Sequence, residues 1–167
     1  MRLLPLLITA AACGVPLEEQ EPSVEVSSSL EGVTLELGGS ACRGECRLAA
    51  PPRGERLVLR VSGELSFERD VWLPEHGELV SITVGARGVE LNLIDENAPQ
   101  GLQLDGRHVA NFTAAPVVAF GGCRLHEVKP GSAAELDCVR DGMVALQQSQ
   151  RLHDDVTLTT TYGLWAH

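Results

Sequence analysis

Cys13 is the residue whose surroundings most clearly assign it a chemistry. It follows MRLLPLLITAAA: one cation at Arg2, an apolar run from Leu3 to Ala12, and small residues at Ala10, Ala11 and Ala12. A cation, a short apolar run and small residues form a secretory signal. A cysteine at the cleavage point makes it a lipoprotein signal, with cutting before Cys13 and acylation of its sulfur. The apolar run is about half of the roughly 20 residues a transmembrane helix needs. The sequence therefore predicts a signal peptide over residues 1–12 and a bacterial cell-envelope protein attached to the membrane by lipid (palmitate) on Cys13. Gly14, rather than Asp, follows the cysteine, which favours the outer membrane.

Four further cysteines remain: Cys42, Cys46, Cys123 and Cys138. An even set in an oxidising compartment predicts two disulfides. Four cysteines permit three pairings, of which the local ones, Cys42 with Cys46 and Cys123 with Cys138, are favoured. A bridge closing about 15 residues stabilises by roughly 3 kcal/mol in the chain-entropy picture. The tight Cys42–Cys46 loop would act as a clip. Zinc is the competing use, but zinc sites carry two close pairs. Here three residues separate the first pair and fourteen the second, so no metal is expected.

No nucleophile elbow, H-E-x-x-H or P-loop is present. His153-Asp154-Asp155 has the donors for a divalent ion but reads as a solvated turn. Asp95-Glu96-Asn97 carries oxygen donors that suit calcium, yet reads as a loop. An envelope hydrolase or lyase would need two or more of His126, Asp137, Asp141, His153 and Asp155 to converge in a concave pocket. A lyase set of Arg60, Asp95 and Asp137 would demand an improbable register. Trp72 and Trp165 read as core or end-cap residues rather than a sugar platform. Asn111-Phe112-Thr113 spells a glycosylation sequon by chance. No catalytic residue and no cofactor are expected; a metal-binding lipoprotein and a polysaccharide-active enzyme are the alternatives.

The elements that would position these residues read as β. Apolar and polar residues alternate over Val33–Leu37, Leu57–Val61, Leu79–Val84, Val89–Ile94, Val109–Phe112, Val117–Phe120, Arg124–Val128 and Val156–Tyr162. Such runs, bounded by Gly, Pro, Asn or Asp, are strands. Ser132 and Glu135 offer a capping box, but Asp141-Gly142 and the β context favour strand, turn, strand there. Residues 14–29 are acidic and bear Pro and Ser, which predicts a flexible tether over 13–30 and one β-rich domain over 31–167.

Runs of alternation end at Gly38, Gly63, Gly85, Gly106, Gly121, Gly142 and Gly163, with gaps of 25, 22, 21, 15, 21 and 21 residues. A unit of about 21 residues predicts the coils of a short parallel β-solenoid. Ser62-Gly63, Asp105-Gly106, Gly121-Gly122 and Asp141-Gly142 are also two-residue hairpin turns, and they permit an antiparallel β-sandwich instead. Glycines stacked in a column would mark the solenoid. Glycines at both ends of two packed sheets would mark the sandwich.

The units LVLRVSGELSF, LVSITVGARGVEL and LQLDGRHVANF resemble the coils of putative auto-transporter adhesin head domains. The resemblance is one of pattern and covers about Leu30 to Leu164. It implies a β-solenoid exported as a tethered lipoprotein with an adhesin-like role, and it assigns no functional residues.

Thirteen basic and 23 acidic residues give a net charge of −10. Loss of residues 1–12 removes Arg2 alone and leaves −11. Such a surface repels nucleic acid, and it needs the lipid to hold it at an anionic membrane. With 4% aromatic residues the chain also lacks the girdles of a transmembrane barrel. The function expected is a non-catalytic structural or binding module that meets an envelope protein or polymer.

Overall fold

The computed structural model describes residues 22–120, 124, 126–137 and 142–166. Every helix or strand among them is a strand. In chain order they are β1 (Ser23–Ser28), β2 (Thr34–Leu37), β3 (Ser40–Arg43), β4 (Cys46–Ala49), β5 (Arg56–Ser62), β6 (Phe67–Trp72), β7 (Glu78–Gly85) and β8 (Gly88–Asp95). Then follow β9 (Leu102–Asp105), β10 (His108–Asn111), β11 (Val117–Phe120), β12 (His126–Val128), β13 (Ser132–Glu135), β14 (Gly142–His153) and β15 (Val156–Ala166). Among the described residues no helix is long and apolar enough to cross a membrane.

The described strands form three sheets. The large one runs β12-β11-β14-β15-β8-β7-β1-β4, a second runs β3-β2-β5-β6, and a third runs β13-β10-β9. One face of the large sheet carries both small sheets. This follows from β15, whose alternate residues share a face. Val156 and Leu158 enter a core with Leu35, Leu59 and Val71 of the four-stranded sheet. Tyr162 enters a second core with Leu102 and Val109 of the three-stranded sheet. Val24, Leu59, Ile82 and Leu146 are fully buried, and each such side chain contributes about 1.5–3 kcal/mol.

This is the antiparallel, sandwich-like architecture, not the stack of parallel coils. Among the described residues ten of the twelve pairings are antiparallel; β1 with β7 and β8 with β15 are the parallel ones. The spaced glycines do not make one column. Gly38 and Gly106 turn the β2–β3 and β9–β10 hairpins at φ 56° and 58°, Gly85 ends β7, Gly142 starts β14 and Gly163 lies within β15. A 21-residue period is also the length of strand, turn and strand. Hairpins satisfy their backbone groups locally, so the same spacing serves them without any coil.

The expected tether over 13–30 is corrected at its end. Ser23–Ser28 is strand β1, inserted between β4 and β7 with Val24 and Val26 buried. Ser23, Glu25 and Ser27 face outward, and their polarity hid a short alternating strand. Ser132–Glu135 is a strand, as the β context required. Cys42 and Cys46 are disulfide-bonded. The bridge joins β3, an edge of the four-stranded sheet, to β4, an edge of the large one, and so clips the chain where it changes sheet. Cys13, Cys123, Cys138 and Asp141 lie outside the described residues.

The β14–β15 hairpin tip locks the two layers together. Arg69 on β6 donates through Nε and Nη2 to the two carboxylate oxygens of Asp155, at 3.0 and 2.8 Å. The Phe67 ring lies 5.5 Å from that guanidinium. The Val89 amide donates to the Asp155 carbonyl at 2.8 Å.

Candidate functional site

The acidic and histidine residues singled out in the sequence are mostly occupied or dispersed. His153-Asp154-Asp155 includes the β14–β15 turn. Its Asp155 is held by Arg69, and His153 Nε2 lies 3.0 Å from the Asp70 carbonyl oxygen. Asp95 ends β8 nearly buried, and its Oδ1 accepts the Asn97 amide at 2.8 Å. That is an Asx turn, the local solution short acidic side chains give a strand end. Arg60 sits on the four-stranded sheet, Asp95 on the large sheet, and Asp137 follows β13 of the third. His126 is on β12, at the far edge of the large sheet. Among the described residues no three His, Cys, Asp or Glu side chains are gathered to hold a metal.

Asn111 of the sequon is fully buried. Its Nδ2 donates to the carbonyls of Ala115 and Val128, both at 2.9 Å, and its Oδ1 accepts from the Thr113 amide and hydroxyl. Gln148 on β14 donates to the Thr113 hydroxyl at 2.6 Å. This network ties the β10–β11 connection to the large sheet and leaves the amide no opening to solvent.

Two open surfaces stand out among the described residues. The outer face of the large sheet is hydroxyl-rich. Ser149 lies 2.9 Å from the Thr159 hydroxyl, which donates to Glu90 Oε1 at 2.9 Å. Arg47 pairs with Glu25, and Ser27 donates to Thr83. Concavities of about 570 and 650 Å³ lie here and share Thr83 in their lining.

The second surface is the outer face of the four-stranded sheet. Along β6, Phe67 and Val71 point inward, so Glu68, Asp70 and Trp72 point outward. Their partners on β5 are Arg60, Val58 and Arg56. Arg56 pairs with Asp70, and Arg60 with Glu68 and Glu36. The hydrogen bond from Arg56 holds the Asp70 carboxyl below its ordinary range, helped by the charges of Arg56 and His153. Concavities of about 520 and 380 Å³ share Arg60 in their lining; the first also takes in Arg56 and Val58, the second Glu36 and Glu68, and neither includes Trp72 or Asp70. Trp72 is 65% exposed and Val58 38%. The reading of Trp72 as core or cap is thereby corrected: the alternation in FERDVW sets it with the carboxylates, and that parity was the signal available. The Trp165 side chain lies outside what is described.

Compared with known proteins, the chain matches no family model, no curated protein and no solved structure.

Proposed function

We propose that this chain is a lipid-anchored module of the bacterial cell envelope that binds a ligand and does not transform it. The reading of Cys13 as the acylated residue supplies the location. Nine residues separate it from β1. At roughly 3.5 Å per residue, the domain would stand at most about 35 Å from the anchor. The observation that carries the binding role is the pair of open outer faces, one on the large sheet and one on the four-stranded sheet, each bordered by concavities. Small-molecule sites are typically enclosed and mostly apolar; open polar sheet faces suit extended partners.

The second bridge, Cys123 with Cys138, belongs to the same proposal. The hydrogen bond from the Arg124 amide to the Asp137 carbonyl, 2.9 Å, supports it, because these are the neighbouring positions in the chain.

Labelling growing cells with a palmitate analogue tests the anchor. Wild type should carry the label in the membrane fraction, and Cys13→Ser should carry none. Protease added to intact cells then separates surface display from a periplasmic position. An unlabelled, uncut chain in the cytosol overturns the proposal.

A further inference from the structure

We infer that the outer face of the four-stranded sheet binds a neutral, hydroxyl-rich glycan chain, with Trp72 as its stacking platform. This rests on the binding-module reading and names the ligand class of one of its two sheet faces.

Three observations carry it. First, an indole left 65% exposed beside a 38% exposed valine forgoes the burial such side chains usually find. Trp72 lies directly across from Arg56, and Val58 across from Asp70. A flat apolar element therefore sits among fixed hydrogen-bonding groups. Sugar rings present the complementary surface: apolar C–H faces that stack on an aromatic ring, and hydroxyls around the rim that pair with carboxylate and guanidinium groups.

Second, the face is charge-balanced on a strongly acidic protein. Arg43, Arg56 and Arg60 offset Glu36, Glu68 and Asp70, whereas the chain as a whole carries −10. An anionic polymer meets the repulsive field of the whole molecule. A cationic partner gains nothing here that it would not gain more strongly elsewhere on the surface. An uncharged ligand is the class that this face does not penalise.

Third, the groups are held in place before a ligand arrives. Asp70 holds Arg56, while Glu68 and Glu36 hold Arg60. Fewer rotamers are lost on binding, which is the cost that most weakens flexible sites. Of the two concavities that share Arg60, one reaches Arg56 and Val58 and the other Glu68; Trp72 stands outside their lining, directly across from Arg56. From Trp72 to Glu68 the strand covers roughly 14 Å at about 3.4 Å per residue, long enough to contact more than one sugar ring.

The test uses the full-length protein in detergent. Its tryptophan emission is titrated with a neutral β-glucan, a neutral α-glucan, a neutral N-acetylglucosamine oligomer and anionic polygalacturonate. At least one neutral glycan should shift the emission, and polygalacturonate should not. Trp72→Phe should bind a few-fold more weakly and Trp72→Ala at least tenfold more weakly, read by calorimetry. Trp165→Phe should keep the shift. Unchanged circular dichroism and Tm in Trp72→Ala would exclude misfolding. No binding to any neutral glycan, binding to polygalacturonate alone, or wild-type affinity in Trp72→Ala overturns the inference. Retention on isolated envelopes that is lost after protease treatment but survives glycan digestion also overturns it, and leaves the binding-module reading intact. A cytosolic location would sink that reading while the glycan titration still stands by itself.

Discussion

Arg69 and Asp155 are 86 residues apart in the chain and meet through two parallel hydrogen bonds. Asp155 is mostly sheltered and Arg69 about a third exposed. The pair is thus stronger than a surface ion pair and weaker than a buried one. Asp155→Asn keeps the size and loses the charge. It should cost about 1 kcal/mol, and Arg69→Ala about 1–2 kcal/mol because contact with Phe67 goes too. Urea unfolding of both single variants and the double variant measures the coupling; simple additivity would show that the two residues do not act together.

Gly88 has φ +127°, and a Cβ there would lie 2.2 Å from the Asp155 carbonyl oxygen. The obstacle is backbone and cannot rotate away. Gly88→Ala should therefore push the β14–β15 tip off β8 and cost about 2–3 kcal/mol. Gly44→Ala is the control, since it has positive φ but nothing within 4 Å. It should cost markedly less in thermal unfolding.

Asn111→Ala should cost about 2–4 kcal/mol, because it strips donors from two carbonyls and an acceptor from the Thr113 amide inside the protein. Gln148→Ala should cost less, since its partner Thr113 keeps its bond to Asn111. Equal losses from the two variants in chemical denaturation would place the hub at Gln148 instead.

Tyr162 is the sole tyrosine in the chain. Burial chiefly raises the pKa of its phenol, with the Asp95 carboxylate adding to this and a hydrogen bond with Thr160 opposing it. A raised folded-state pKa favours the protonated native form. Stability is full below the unfolded value near 10 and falls as pH rises through the folded one. Absorbance at 295 nm should show one transition above pH 10 in native protein, moving to about 10 in denaturant. Asp95→Asn should lower the native midpoint; no change would remove Asp95 as a cause.

Peptide mapping without reductant should recover Cys42 linked to Cys46, and Cys123 linked to Cys138. The first closes so short a loop that Cys42→Ser with Cys46→Ser should cost only about 2 kcal/mol. Recovered cross-pairs between the two sets would overturn the assignment.

Alternation by itself marked out β2, β5, β7, β8, β11 and β15, and the parity of FERDVW already held Trp72 on the side of Asp70. The Cys42–Cys46 clip was also legible, since a loop that short keeps the two thiols close in any fold. The pairing of β1 with β7, the union of Arg69 with Asp155 and the choice of stacked hairpins over coils were set only in three dimensions. A period of two states which face each side chain takes, and it is a local property. Which strand lies alongside depends on packing summed over residues far apart in the chain, and the spacing of glycines is the same for a hairpin and for a coil.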